Sequence, residues 1–144
     1  MQTIKDVMTT DVQTVAPTDT VQRAAQLMHE LNVGAIPVRD GDRLVGMITD
    51  RDIAVRSTAA GQAPGETQVK QVMSLEVRTC SSDQTVQDVL ATMGGMQIRR
   101  VPVIDQESKK LVGIVSLGDI ATKSRGDTDG ALDQISSPSA PDRS

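Results

Sequence analysis

The stretch Leu44-Val45-Gly46-Met47-Ile48-Thr49-Asp50-Arg51-Asp52-Ile53-Ala54 returns near the other end of the chain as Leu111-Val112-Gly113-Ile114-Val115-Ser116-Leu117-Gly118-Asp119-Ile120-Ala121. Each copy predicts an apolar strand that ends at a hydroxyl residue. A short helix is predicted to follow, with an aspartate three positions after the hydroxyl. A helix N-terminus placed after a strand can hold a nucleotide phosphate.

Shorter matches show that the copies extend beyond this stretch. At an offset of 65 residues, Val7-Met8 recurs as Val72-Met73, Thr20-Val21 as Thr85-Val86, Met28 as Met93, and Pro37-Val38 as Pro102-Val103. The offset grows to 67 residues by Gly113, which places two extra residues in the turn around Gln106 to Lys110. An offset that is constant within elements and changes only in a turn indicates a duplicated structural unit.

The duplication predicts two repeats, residues 1–57 and 69–124, joined by a linker at 58–68. Each repeat of about 50 residues is too small to be comfortably stable alone, so we expect the two to share a core. Residues 125–144 are poor in apolar side chains and rich in Ser, Asp and Pro. This composition predicts a disordered tail whose removal leaves the fold intact.

Each repeat shows the element order β-α-β-β-α. In copy one a short helix at 4–8 precedes an extended piece at 12–15. A helix from Thr20 follows, with Val21, Ala24, Ala25, Met28 and Leu31 on its apolar face. Strands are then predicted at 35–39 and 43–49. Copy two predicts a helix at 85–96 that frays early at Gly94-Gly95, and strands at 100–104 and 110–116.

Composition excludes several classes of function. The net charge of −4 argues against nucleic-acid binding, and no apolar stretch is long enough to span a membrane. The chain begins without a signal peptide, so we expect a cytoplasmic protein. Cys80 and His29, the only cysteine and histidine, predict neither a disulfide nor a metal site. The sequence contains no recognisable pair of nucleophile and base and no glycine-rich phosphate loop, so it does not predict an enzyme.

The element order, together with Ile36-Pro37-Val38, Val101-Pro102-Val103 and the two long copies, resembles a pair of cystathionine-β-synthase (CBS) domains, a Bateman module. The resemblance covers roughly residues 4 to 123. It implies an α/β (α+β) fold in which two β-α-β-β-α repeats pack with pseudo-two-fold symmetry. It also implies regulatory binding of an adenine nucleotide such as AMP, ADP or ATP in clefts between the repeats, energy sensing, and a homodimer that signals to an unknown regulated protein.

The family pattern G-h-x-[ST]-x-x-D assigns Thr49 and Ser116 to phosphate and Asp52 and Asp119 to the ribose hydroxyls. A carboxylate can accept both hydrogens of a vicinal diol. The resemblance also implies an adenine slot, with residues from two sets of strands. They are Ile36, Pro37, Val38, Val101, Pro102 and Val103, with Val15, Ala16, Thr79 and Cys80 nearby.

Three arginines are candidates for phosphate, because the guanidinium fork matches phosphate geometry. Arg51 lies inside the first motif, whereas Arg99 and Arg100 lie at the start of a strand of copy two. We therefore expect the nucleotide site of copy two to be the tighter one. An alternative remains open, since [ST]-x-x-[DE] before an apolar helix is also a capping box that needs no ligand. The chain would then be a structural or interaction module.

Overall fold

The computed structural model describes residues 2–96 and 100–123, with the backbone alone at 95, 96 and 123. The predicted tail and Arg99 lie outside the described residues. The helices and strands are α1 (Ile4–Val7), α2 (Val21–Leu31), β1 (Ala35–Asp40), β2 (Arg43–Thr49), α3 (Asp50–Asp52), a π-helix (Ile53–Thr58), a 3-10 helix (Val69–Gln71), β3 (Cys80–Ser81), α4 (Val86–Met96), β4 (Arg100–Ile104), β5 (Leu111–Ser116) and α5 (Leu117–Lys123).

The described residues form two compact units that differ from the two sequence repeats. The first unit comprises residues 13–77, and the second comprises residues 2–12 together with 78–123. Each repeat therefore gives its opening segment to the unit built around the other repeat. The predicted boundaries at 57 and 69 follow the copies along the sequence and do not show this exchange.

The buried apolar side chains form two clusters where one core was expected, and each cluster contains residues of both copies. One cluster lies within the first unit, from Val15 to Val72, and the other within the second unit, from Ile4 to Ile120. The exchanged segments explain why two cores suffice. Ile4 and Val7 add apolar area to the second unit, and Val69 and Val72 add it to the first.

In the first unit, Thr20 is the N-cap of α2, and its hydroxyl accepts a hydrogen bond from the Arg23 amide. The C-cap is Asn32, in the left-handed conformation. Val21, Ala24, Leu27 and Met28 are buried. The predicted face is partly wrong, because Ala25 and Leu31 are exposed and Leu27 takes their place in the core.

The strands β1 and β2 form the predicted antiparallel hairpin, in which Ala35 pairs with Thr49. The turn uses Gly41 at a φ of 66°, a conformation that favours glycine. Val15 adds a parallel bridge to Val38 from the preceding segment. After β2 the chain makes one α-helical turn and continues as the π-helix, an element that the sequence analysis did not predict.

In the second unit the strand order is β3-β4-β5, with β3 parallel and β5 antiparallel to β4. The turn after β4 holds the two extra residues of copy two, with Asp105 accepting from the amides of Glu107 and Ser108. The expected early fraying of α4 is wrong, because the helix continues through Gly94 to Met96. Packing of its buried apolar face outweighs the weak helix propensity of glycine.

Candidate functional site

Both copies of the motif form a capping box. In the first unit the Asp52 amide donates to the Thr49 hydroxyl at 3.0 Å, and the Thr49 amide donates to the Asp52 carboxylate at 3.0 Å. In the second unit the same two bonds join Ser116 and Asp119 at 3.0 and 3.2 Å. The bonds fix the orientation of each carboxylate.

Each carboxylate also accepts from a hydroxyl that the sequence analysis missed. The Thr9 hydroxyl lies 3.3 Å from Asp119 Oδ2, and the Ser74 hydroxyl lies 3.4 Å from both oxygens of Asp52. Thr9 follows Met8 and Ser74 follows Met73, so the repeat pairs them at the offset of 65 residues. That pairing was the available signal, although the segment exchange decides which aspartate each hydroxyl meets.

Two glycines let the exchanged segments approach the motif strands. A Cβ at Gly46 would lie 2.8 Å from Met73 Sδ and 2.9 Å from the Ser74 carbonyl oxygen. A Cβ at Gly113 would lie 2.7 Å from Met8 Sδ and 2.9 Å from the Thr9 carbonyl oxygen. Glycine in both motifs is therefore required for close backbone approach, which brings each hydroxyl to its aspartate.

The side chains assigned to an adenine slot lie mostly in the two cores. Ile36 and Val38 are at most 1% exposed, and Val101 and Val103 are at most 2% exposed. Pro37, Pro102 and Val15 are also buried. Ala16 is half-buried, and its amide donates a hydrogen bond to the Asp19 carboxylate. In these units the strand residues offer a ligand little side-chain surface.

Thr79 and Cys80 line a cleft of about 320 Å³ in the second unit. The cleft is also lined by Ser81, Gln84, Ile104 and Gln106. The register pairs Arg100 with Ser116 at one end of β4, and Ile104 with Leu111 at the other. Since a strand rises about 3.3 Å per residue, the cleft lies roughly 13 Å along β4 from the motif.

The Cys80 thiol is a core group. It is 5% exposed, and burial raises its pKa to about 12. Thiolate, which is the reactive form, is therefore scarce at neutral pH.

We expect Cys80 to react with a thiol reagent at pH 8 at least 100-fold more slowly in the folded chain than in urea. The pKa rise from 9.0 to about 12 reduces the thiolate fraction by roughly a thousand-fold. Absorbance of the released chromophore measures both rates. Equal rates would show that Cys80 is accessible in the folded protein.

The predicted phosphate-binding arginines have different surroundings. Arg51 is exposed, and Arg99 lies outside the described residues. Arg100 is half-buried opposite Ser116 in the β4–β5 register. Burial lowers the pKa of its guanidinium, and the Asp119 carboxylate opposes that shift. The second unit thus brings Arg100, Ser116 and Asp119 together.

The Arg100 Nε atom is buried, and within the described ranges it has no hydrogen-bond partner. A buried donor without a partner costs free energy, so a native structure usually offers it a ligand, an ion or water. A phosphate oxygen would satisfy this donor.

A family model for the CBS domain matches the chain at residues 4–57 and 69–126. The chain therefore belongs to the CBS-domain family, and its mixed helices and small sheets confirm the predicted α+β class. It is 50% identical over 121 residues to the CBS domain-containing protein YhcV of Bacillus subtilis (strain 168), a match covering 84% of each chain.

This structure is similar to many solved structures. Hypoxic Response Protein I with two coordinated zinc ions has a TM-score of 0.75 and 38% identity, over 86% of this chain and 100% of that one. The CBS domain pair of protein MJ0100, in complex with 5′-methylthioadenosine and S-adenosyl-L-methionine, has a TM-score of 0.69 and 28% identity. That match covers 85% of this chain and 94% of the other.

No group of three or more His, Cys, Asp or Glu residues in residues 2–96 and 100–123 could hold a metal ion. The part of the chain that the structure describes therefore offers no cluster for zinc. Among the described helices, none is long and apolar enough to cross a membrane.

Proposed function

We propose that the chain is a non-enzymatic regulatory module that binds an adenine nucleotide and transmits its occupancy to a partner protein. The observation that carries this proposal is the buried Arg100 Nε, which has no hydrogen-bond partner among the described residues and lies beside Ser116 and Asp119 in the second unit. The adenosine-containing ligands of the MJ0100 domain pair support the ligand class. The proposed setting is a cytoplasmic homodimer.

In this proposal Arg100, Ser116 and Asp119 contact different parts of the ligand. Arg100 and the Ser116 hydroxyl meet the phosphate, since a guanidinium and a hydroxyl both donate to anionic oxygens. The Asp119 carboxylate accepts from the ribose diol, as charge-assisted hydrogen bonds favour. The corresponding groups of the first unit are Thr49 and Asp52, with Arg51 as the nearest arginine in sequence.

The second candidate function is a structural or interaction module without a nucleotide. It is favoured by the two capping boxes, which form within the chain alone. The two functions differ in what the aspartates do, so substituting an aspartate separates them.

We expect Asp119→Ala to weaken AMP binding by about ten-fold or more, because it removes charge-assisted hydrogen bonds worth roughly 1.5–3 kcal/mol each. Loss of the capping-box carboxylate should cost at most about 1 kcal/mol of folding free energy. Titration calorimetry measures the affinity and thermal unfolding the stability. The chain has no Tyr or Trp, so bound nucleotide is also visible near 260 nm.

Asp88→Ala is the matched control, because Asp88 is an exposed aspartate in the first turn of α4. It should bind AMP like the unaltered chain. Arg100→Gln adds a second test, since it should weaken AMP binding and leave adenosine binding nearly unchanged. No heat with millimolar AMP, ADP or ATP would favour the structural module.

A further inference from the structure

Arg56 ties three parts of the first unit together. It lies in the π-helix, where its Nη1 donates to the carbonyl oxygens of Val72 and Met73 at 3.3 Å each. Its Nε lies 3.9 Å from Asp52 Oδ1. The same carboxylate accepts from the Ser74 hydroxyl. The motif aspartate and segment 72–74 are therefore joined both directly and through the guanidinium.

Segment 72–74 occupies a particular place in the chain. The Ser74 amide donates a hydrogen bond to the Met47 carbonyl oxygen at 2.8 Å. The Met47 amide donates one to the Ser74 carbonyl oxygen at 2.9 Å. Three residues after Ser74, the chain leaves the first unit at Val77. The contacts of Arg56 thus fix the last anchored part of the first unit before the chain enters the second.

A ribose diol at Asp52 would need the acceptor sites of this carboxylate. Asp52 is only 8% exposed, and its oxygens already accept from the Thr49 amide and the Ser74 hydroxyl. A ligand that donates to these oxygens competes with Ser74 and with the attraction of Arg56. Binding at Asp52 and the closed position of segment 72–74 therefore oppose each other.

We infer that Arg56 acts as a latch, holding segment 72–74 closed over Asp52. An adenine nucleotide that binds at Asp52 opens this latch. The inference rests on the proposed function and names the regulation of the first-unit site. Coupling between two events is reciprocal. If ligand binding at Asp52 disfavours the latch contacts, loss of those contacts must favour ligand binding. Removing the guanidinium should tighten binding at Asp52.

The test uses the Asp119→Ala chain, so that the second-unit site is weakened and the Asp52 site dominates the titration. Adding Arg56→Gln should tighten AMP binding about five-fold, the lower range of allosteric couplings. Arg56→Lys should give an intermediate affinity, because it keeps the charge but loses the guanidinium fork. Arg23→Gln, at an exposed arginine of the same unit, is the matched control and should change nothing.

Equal or weaker AMP binding by Arg56→Gln would overturn the latch, and weaker binding would make Arg56 a phosphate ligand instead. Hydrogen exchange separates this result from failure of the proposed function. Without any nucleotide, Arg56→Gln should speed exchange of the Met47 and Ser74 amides about ten-fold, while Arg23→Gln should not. Unchanged exchange would overturn the latch even if AMP binds. Faster exchange with no AMP binding to any variant would instead refute the proposed function and the nucleotide-opened latch, leaving only a structural tether.

Discussion

Gly113→Ala is expected to destabilise the protein by about 1–3 kcal/mol, the usual cost of overpacking a well-packed site. The added Cβ would lie 2.7 Å from Met8 Sδ and 2.9 Å from the Thr9 carbonyl oxygen. The methionine can rotate, but the carbonyl cannot move freely. The Thr9 amide and carbonyl are both hydrogen-bonded to Ile114, at 2.8 and 2.9 Å.

Thermal unfolding measures this change, and about 4 °C or more of lost melting temperature per kcal/mol is typical of units of this size. Gly118→Ala is the matched control. Among the described residues a Cβ there meets only the Ser116 hydroxyl oxygen, at 3.7 Å, and alanine favours the helix. A melting temperature for Gly113→Ala equal to that of the unaltered chain would show that the Thr9 segment does not pack against β5.

The repeat and its local patterns predict the elements well because local physics determines them. The end of β2 at Thr49 and the start of α2 after Thr20 both follow from nearby residues. Local patterns do not determine which face of α2 is buried, since Ala24 and Ala25 are both small enough for either face. Leu27 is buried, so the face of α2 that packs into the core is the one that carries this large side chain.

The segment exchange could not be predicted in the same way. The apolar residues of segment 2–12 indicate that it is buried, but not which repeat buries it. For the same reason Thr9 and Ser74 escaped the sequence analysis although they contact the motif aspartates. The family motif located the aspartates themselves, and both functions predicted for them use the same carboxylate oxygens.

Ile4→Ala is expected to have the largest effect on stability, although Ile4 is the fourth residue of the sequence. Its side chain is 0% exposed and belongs to the core of the second unit. Replacing a buried Ile by Ala removes apolar area and leaves a cavity, at a cost of about 2–5 kcal/mol.

Hydrogen exchange can locate the damage as well as measure it. The amide of Ile4 donates to the Gln84 carbonyl at 2.9 Å, so α1 is tied to the segment that leads into α4. Protection should therefore fall at Val101 and Val115 of the second unit, and Lys5→Ala, at an exposed neighbour, should leave it unchanged. If protection falls instead at Val21 and Ile48, segment 2–12 stabilises the repeat that follows it in sequence, and the exchange of segments is refuted. The same result would remove Thr9 from the Asp119 site, because the segment that carries Thr9 would then belong to the other unit.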